Sequence, residues 1–154
     1  MTDTNDTLPT LSTLRYGAPI TFELAQRVAQ AAQREAQRNG WPMVIAIVDS
    51  AGHLVLLQRL DQAQLGSIEV ARQKAQTAVY FRRPTKRFED ALAQGGLHLR
   101  LLGMTNLTPL DGGLPLVVDG EVAGAIGVSG MQSHEDAKVA QAGAAALDSL
   151  NSLH

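Results

Sequence analysis

Two basic side chains stand where a binding site for an acidic ligand could form. Lys74 has Val70 and Ala78 four residues before and after it, so no helical neighbour at that spacing neutralises its ammonium group. Arg59 and Asp61 follow an apolar strand pattern, and a guanidinium at a strand end can hold a carboxylate through two hydrogen bonds. Each residue also has a simpler interpretation. Lys74 can extend to water, and Arg59 can form a local ion pair with Asp61.

Two glycine-containing segments could supply backbone N–H groups to the same kind of ligand. Gly112 and Gly113 permit positive φ angles and an outward-facing nest of N–H groups, and Pro115 fixes the backbone after them. Ser129 and Gly130 lead into the predicted last helix, whose N-terminus attracts anions. The alternative for both segments is a turn or a close packing contact that binds no ligand.

If the basic side chains and the glycine-containing segments lie close together in the fold, they would form one binding site for an acidic ligand. Pockets lined by several converging polar groups are few per protein. We therefore predict that Lys74, Gly113 and Gly130 share one cleft, within a chain or between subunits, against the alternative of three unrelated structural roles. If the protein is an enzyme, Asp61 or Asp136 is the candidate proton carrier.

The histidine and cysteine content restricts metal chemistry. The chain has no cysteine, which excludes thiolate nucleophiles and Cys-ligated zinc or iron–sulfur clusters. Its four histidines lack metal-ligand spacing, so no metal site is predicted. His53 follows a turn and is most simply a solvent-facing residue, while the alternative is an axial ligand to haem iron. Met131 stands where the nucleophile elbow of serine hydrolases needs glycine.

Composition narrows the class of protein. The chain has 154 residues, a formal net charge of −2, 45% hydrophobic residues and 4% aromatic residues. These values predict one globular domain without a surface for nucleic acid, and the short apolar runs predict no membrane span. Residues 1–19 are rich in threonine and lack a secretory signal pattern, so we expect a flexible polar arm on a cytoplasmic protein.

The elements that must position these side chains follow from periodicity and turn residues. Hairpins at 49–52 and at Asp119-Gly120 predict antiparallel pairing, hence an α+β fold with about five strands and helices packed around the sheet. Ser133 and Asp136 resemble a capping box that opens the last helix. The predicted elements are helices over about 21–39, 65–81, 85–94 and 133–150, and strands over 43–48, 53–60, 107–110, 114–118 and 121–128.

Several pieces of the chain, in order from about residue 20 to residue 150, resemble the GlcG/HbpS-type family, also called the haem-degrading domain family. The most specific are the K-A-x-T-A helix beginning at Lys74, the G-G-x-P turn at Gly112, and the segment G-A-x-G-V-S-G at 124–130 followed by E-D. Residues 20–154 are therefore identified as a GlcG/HbpS-like domain. In this chain Leu60 replaces the methionine of the family's Arg-Met-Asp element, while both charges remain.

The resemblance implies an assembly and a ligand. Its fold is a five-stranded antiparallel sheet with a profilin-like layout, and members form homo-oligomers, often octamers. The small residues of 142–146 would permit close approach of a helix from another subunit, or packing within one chain. Some members bind haem and degrade it slowly. Others lie in operons for small-acid catabolism or are fused to cobalamin adenosyltransferases.

Two functions follow as hypotheses. In the first, the chain binds haem or a similar anionic ligand, with Lys74 and Arg59 neutralising carboxylates and the glycine segments donating backbone hydrogen bonds. His53 is then the first iron ligand to test. In the second, a cofactor-free isomerase, hydratase, lyase or hydrolase acts on a small organic acid, with Gly112 and Gly113 stabilising an oxyanion. A third hypothesis is a non-catalytic assembly module.

Overall fold

The computed structural model describes residues 13–151, which form one sheet surrounded by helices. None of the helices in this part of the chain is both long and apolar enough to cross a bilayer. The elements are α1 (Phe22–Asn39), β1 (Val44–Asp49), β2 (Leu54–Arg59), α2 (Gly66–Phe81), α3 (Lys86–Ala93), a 3₁₀ helix (Gly96–Gly103), β3 (Gly113–Val118), β4 (Glu121–Ser129), α4 (Ser133–Ala145) and α5 (Asp148–Asn151).

The sheet has the strand order β2-β1-β4-β3, and every neighbouring pair is antiparallel. Val44 at the start of β1 pairs with Arg59 on one side and with Ser129 on the other. The start of β1 and the ends of β2 and β4 therefore lie together, at what we call the Val44 end of the sheet. The β1–β2 hairpin turn lies at the opposite end.

Alternating residues of β1 build the two layers of the core. Ile45 and Ile47 belong to the cluster that α1 and α4 form on one face. Val48 packs with residues of α2 on the other face. Because both faces are covered, β1 is buried almost throughout, which explains why its sequence is a continuous apolar run rather than an alternating one.

The first helix follows its sequence signals closely. The Thr21 hydroxyl accepts a hydrogen bond from the Leu24 N–H, and Gly40 ends the helix with a φ of 70°. Val28 and the alanines at helical spacing on the same face of α1 are buried. The predicted helix over 65–81 and the strands on either side of the two hairpins are confirmed within one or two residues.

Three predicted features are wrong. The single last helix predicted over 133–150 is divided into α4 and α5. The described residues form four strands rather than five, because 107–110 is a loop in which Pro109 lacks a donor and the Thr108 N–H bonds to the Thr77 hydroxyl. The last helix is capped by Gln132 with Glu135 instead of by Ser133 with Asp136. The Asp136 carboxylate is turned inward instead.

The predicted polar arm falls largely on residues 1–12, which lie outside the described part of the chain. Within the described part, Gly17 N–H donates to the Val122 carbonyl and Val122 N–H donates to the Arg15 carbonyl, at 2.9 and 2.8 Å. The domain boundary at residue 20 stays a prediction.

Candidate functional site

Lys74 lies in a closed polar centre between α2, β4 and α4. Its Nζ donates to the Val128 carbonyl and to Asp136 Oδ2, each at 2.9 Å. The two side chains are only 2% and 4% exposed. Lys74 therefore does not extend to water, and the carboxylate that it receives belongs to its own chain.

The local backbone explains why this ion pair forms. Lys74 is on the face of α2 that packs against the sheet, and Asp136 lies in the first turn of α4. The second oxygen of Asp136 accepts a hydrogen bond from Met131 N–H at 2.9 Å. Gly130 lies so close to the start of β1 that a Cβ atom there would be 2.6 Å from the Pro42 carbonyl oxygen. The pair thus fixes the link between β4 and α4.

Two opposing effects act on the Asp136 carboxyl. Burial raises its pKa because the protein interior disfavours the charged form. The nearby ammonium of Lys74, by charge and by hydrogen bond, and the Met131 N–H pull that pKa down again. Removing Lys74 would leave a buried carboxylate without its counter-ion.

The N–H groups of the two glycines in the turn at 111–113 already donate to side chains of the protein. Gly112 N–H donates to Asp111 Oδ1, and Gly113 N–H donates to the Thr85 hydroxyl, both at 2.9 Å. This corrects the prediction that Gly112 and Gly113 offer free donors to a ligand or an oxyanion, since side chains of the protein already accept from them. Gly112 has a φ of 122°, and a Cβ atom there would lie 2.7 Å from the Val128 carbonyl.

Gly112 and Gly113 lie against Lys74, whereas the ligand-binding cleft predicted for Lys74, Gly113 and Gly130 stays a prediction. A Cβ atom on Gly112 would be 2.9 Å from Lys74 Nζ, and one on Gly113 would be 2.5 Å from the Lys74 carbonyl oxygen. The contact between them is tight packing around the ion pair, which we call the Lys74 centre. Lys74 is bonded to Asp136 and Val128, and the N–H groups of Gly112 and Gly113 are bonded to Asp111 and Thr85.

The remaining residues predicted near this centre also have partners inside the protein. The buried Ser129 hydroxyl donates to the Ser67 hydroxyl at 3.1 Å, which joins the end of β4 to the first turn of α2. Pro115 lies in β3 opposite Ala125. Because β3 is an edge strand, a proline without an N–H group is tolerated there.

Arg59 and Asp61 line an open cavity of about 530 Å³ at the Val44 end of the sheet. Both side chains are exposed, and within residues 13–151 they form no ion pair with each other. We call this the Arg59 cavity. Its lining residues are Gln37, Gly40, Trp41, Pro42, Arg59, Leu60, Asp61 and Gln62.

Trp41 and Pro42 are parts of this cavity that the sequence interpretation missed. Trp41 is the chain's single tryptophan and follows the glycine that ends α1. The ammonium of Lys138 from α4 lies 5.7 Å from the centre of its ring. A lone tryptophan between a helix end and a buried strand was the available signal, because an aromatic ring there must pack beside the strand ends.

His53 lies at the other end of the sheet in the same chain. Its carbonyl accepts from Asp49 N–H at 2.8 Å, whereas Arg59 pairs with Val44. The five residue steps along β1 from Val44 to Asp49 separate His53 from Arg59 by roughly 17 Å. The prediction that one chain places His53 and Arg59 around the same ligand is therefore wrong.

The chemistry available to the two regions differs. In the Lys74 centre the ammonium is paired with a carboxylate of the same chain, and the two glycine N–H groups donate to side chains. The Arg59 cavity presents an unpaired guanidinium and a carboxylate beside an indole ring and a leucine, which suits a ligand that is flat, largely apolar and acidic at its edge.

Comparison with known proteins agrees with this fold. Residues 20–145 match the family described as "Haem degrading protein HbpS-like". The protein GlcG of Escherichia coli K12 is 41% identical over 110 residues, which cover 71% of this chain and 81% of GlcG. The chain belongs to the HbpS-like family, as its motifs predicted.

Two crystal structures are similar to the structure described above. A double mutant of HbpS from Streptomyces reticuli has a TM-score of 0.78 and 32% identity, and the match covers 90% of this chain and 96% of that one. A complex of PduOC with haem has a TM-score of 0.76 and 30% identity, covering 84% of this chain and 95% of that one.

Proposed function

We propose that this member of the HbpS-like family binds haem, or a similar flat anionic ligand, in the Arg59 cavity. The observation that carries the proposal is the unpaired, exposed guanidinium of Arg59 beside the Trp41 ring at the mouth of a cavity. Small-ligand pockets measure about 300–1,000 Å³, and this one lies within that range at about 530 Å³. The relative solved as a complex with haem supports the ligand class.

The lining fits the edge and the body of such a ligand. The Arg59 guanidinium can hold a propionate through two parallel hydrogen bonds. The Trp41 ring, Pro42 and Leu60 offer apolar surface to the flat body. Bound haem supplies its own redox chemistry, and the contribution of these residues is to bind and orient it. If haem is slowly degraded, the reactivity comes from the haem, and these residues only hold it in place.

The lining does not provide the usual iron ligands. Among the eight residues around the cavity there is no histidine, tyrosine or methionine. Haem iron in proteins is held by such side chains or by a cysteine thiolate. A ligand to the iron must therefore come from outside this set.

An enzyme acting on a small organic acid is not favoured by any observation on the described residues. Arg59 and Asp61 could supply its cation and its acid or base, but that hypothesis also needs a free oxyanion donor. Lys74 is paired with Asp136, and Gly112 and Gly113 donate to side chains of the protein. We therefore propose ligand binding alone.

Titration with hemin tests the proposal. We expect a saturable shift of the Soret band for the natural protein and about tenfold weaker binding for Arg59→Ala, which is the loss of one charge-assisted contact. Arg27→Ala is the matched control, because Arg27 is exposed on α1 and forms only a one-turn pair with Glu23. Hemin binding that never saturates would refute the proposal. Equal losses in both variants would refute the role of Arg59.

A further inference from the structure

The backbone on both sides of Trp41 is fixed. Its N–H donates to the Ala36 carbonyl of α1 at 2.9 Å, and Gly40 before it has the left-handed φ of 70° that ends the helix. Pro42 follows, and a residue before proline is held in extended conformations. The path of the main chain is therefore determined. Only the side-chain torsions of Trp41 decide how its ring stands in the wall of the Arg59 cavity.

One face of that ring carries a positive charge from another helix. The Nζ of Lys138 on α4 lies over the ring, 5.7 Å from its centre. An ammonium within about 6 Å of the centre of an indole ring is attracted to its face. Lys138 lies outside the lining of the cavity, whereas Trp41 is part of that lining. The ring therefore stands between the ammonium on one side and the cavity on the other.

A buried carboxylate on α1 holds this ammonium. Glu35 is buried, and its Oε1 lies 3.7 Å from Lys138 Nζ. The side chains of Arg38 and Asn39 also donate to the Glu35 carboxylate, which fixes its orientation within the last turns of α1. The ammonium of Lys138 thus has a charged partner on α1 and an aromatic partner just beyond the end of the same helix.

Close packing of α1 against α4 sets the distance across this contact. A Cβ atom on Gly143 of α4 would be 3.1 Å from the Val28 carbonyl oxygen of α1. Val139, the residue after Lys138, is buried in the same core cluster against which Trp41 packs. The Lys138 side chain therefore starts from a closely packed helix rather than from a loop.

We infer that Lys138 is a positioning residue for the Trp41 ring, and that a flat ligand in the Arg59 cavity stacks on the ring face turned away from Lys138. A ring already held in one orientation loses less side-chain freedom on binding than a ring that turns, so it binds a flat ligand more tightly. This inference rests on the proposed function for its ligand and on the contacts of Lys138 for its geometry.

Fluorescence tests the contact without any ligand. Trp41 is the chain's single tryptophan, so intrinsic fluorescence reports on its ring alone. Lys138→Ala removes the ammonium and keeps a good helix former in α4. We expect acrylamide, a neutral quencher, to quench Trp41 more strongly in this variant than in the natural protein, because the uncovered ring is reached from both faces. Equal quenching of the two proteins overturns the inference.

Two further variants separate this contact from general effects of substitution. Lys138→Arg keeps a cation that stacks on aromatic faces, so its quenching should equal that of the natural protein. Lys86→Ala is the matched control, because the side chains of Lys86 and Lys138 are 58% and 55% exposed and each pairs with a carboxylate. Quenching that Lys138→Arg does not restore, or that Lys86→Ala raises equally, overturns the inference.

Hemin titration tests the effect on binding. We expect Lys138→Ala to bind hemin about two- to fivefold more weakly than the natural protein, as for the loss of one exposed cation–π contact, and Lys138→Arg to bind it equally well. Trp41→Leu keeps an apolar side chain against the core and removes the ring, so it should also bind hemin more weakly. Natural affinity in Lys138→Ala or in Trp41→Leu overturns the inference.

A double-mutant cycle shows whether Lys138 acts through Trp41. If it does, Lys138→Ala causes no further loss of affinity in a chain that already carries Trp41→Leu. A cation that attracted the acidic ligand directly would weaken binding in both backgrounds, so equal losses with and without the ring overturn the inference. Far-UV circular dichroism verifies that each variant is folded.

The two proposals can fail separately. If hemin binding to the natural protein never saturates, the proposed function and the stacked ligand both fail, and acrylamide quenching alone decides the contact between Lys138 and Trp41. If hemin binds saturably and Arg59→Ala weakens its binding while Lys138→Ala does not, the proposed function stands and the positioning role of Lys138 fails.

Discussion

The Lys74 centre and the Arg59 cavity lie in the same small domain and use the same kinds of side chain, yet they differ in every property that matters for binding. Lys74 and Asp136 are almost fully buried and 2.9 Å apart. Arg59 and Asp61 are exposed and unpaired with each other. Within the described residues the buried cation and carboxylate are bonded to each other, and the exposed ones are not.

The difference shows what separates a structural charge from one available to a ligand. A buried ammonium is tolerated only where a carboxylate and further acceptors compensate for its lost hydration. Lys74 meets that condition through Asp136 and the Val128 carbonyl. Arg59 keeps its hydration in the open cavity, so it can exchange water for an acidic ligand. A charged residue without a neighbouring counter-ion in the sequence can therefore be either a buried structural charge or an exposed charge that binds a ligand.

The largest effect is expected for removal of one half of the buried pair. Lys74→Met leaves the Asp136 carboxylate buried without its counter-ion, so we expect a loss of about 3–5 kcal/mol in the free energy of unfolding. Lys86→Met is the control, because Lys86 and Asp90 form an exposed pair at 3.3 Å and its loss should cost under about 1 kcal/mol. Urea denaturation measures both.

The double variant Lys74→Met/Asp136→Leu sharpens the same comparison. Apolar side chains of similar size can replace a buried ion pair at little cost, so most of the lost stability should return. A Lys74→Met protein as stable as the natural one, but unable to bind hemin, would show that the Lys74 centre is a ligand site after all.

A smaller loss is expected where glycine closes the Lys74 centre. Gly112→Ala would place a Cβ atom 2.7 Å from the Val128 carbonyl and 2.9 Å from Lys74 Nζ, at a φ of 122°. We expect a loss of about 1–3 kcal/mol in the free energy of unfolding. Gly103→Ala is the control, since a Cβ atom there meets nothing within 4 Å. Thermal melts of the two variants that shift equally would contradict the packing argument.

Local sequence patterns were sufficient to predict most helices and strands. They were insufficient to predict which side chains contact one another at the Lys74 centre. Thr21 and Gly40 mark the ends of α1 because capping depends on residues next to the helix. The partner of Gly113 is the hydroxyl of Thr85, 28 residues away in the sequence, and no local pattern identifies it. Asp136 looked like a capping residue, and the alternative role became visible only once α2 placed Lys74 beside it.

The residues of the Arg59 cavity were also only partly predictable from local sequence. Arg59 and Asp61 were identified because charges follow a strand directly, which is a local signal. Trp41 joins them through the pairing of β1 with β2, which brings the residues before one strand beside the residues after the other. The position of His53 relative to Arg59 also depends on that pairing, because a hairpin places its turn and its open ends far apart.

The pH dependence of stability gives the finest test of the difference between the two regions. Burial gives Asp136 a higher pKa in the folded protein than its ordinary value of 3.8, and Lys74 opposes that rise. A carboxyl whose pKa is raised on folding contributes stability below its unfolded pKa, and the contribution is lost as pH rises through the folded pKa. Lys74→Met removes the opposing charge, so the folded pKa rises further and the loss extends to higher pH.

We therefore expect the gap in unfolding free energy between the natural protein and Lys74→Met to be smallest near pH 3.8 and to widen towards neutral pH. Urea denaturation at several pH values measures this gap. Lys74→Met/Asp136→Asn is the control, because without an ionisable group at residue 136 the widening should disappear. A gap that stays constant with pH would mean that Asp136 keeps its charge without Lys74, and the centre would then have to be hydrated rather than closed.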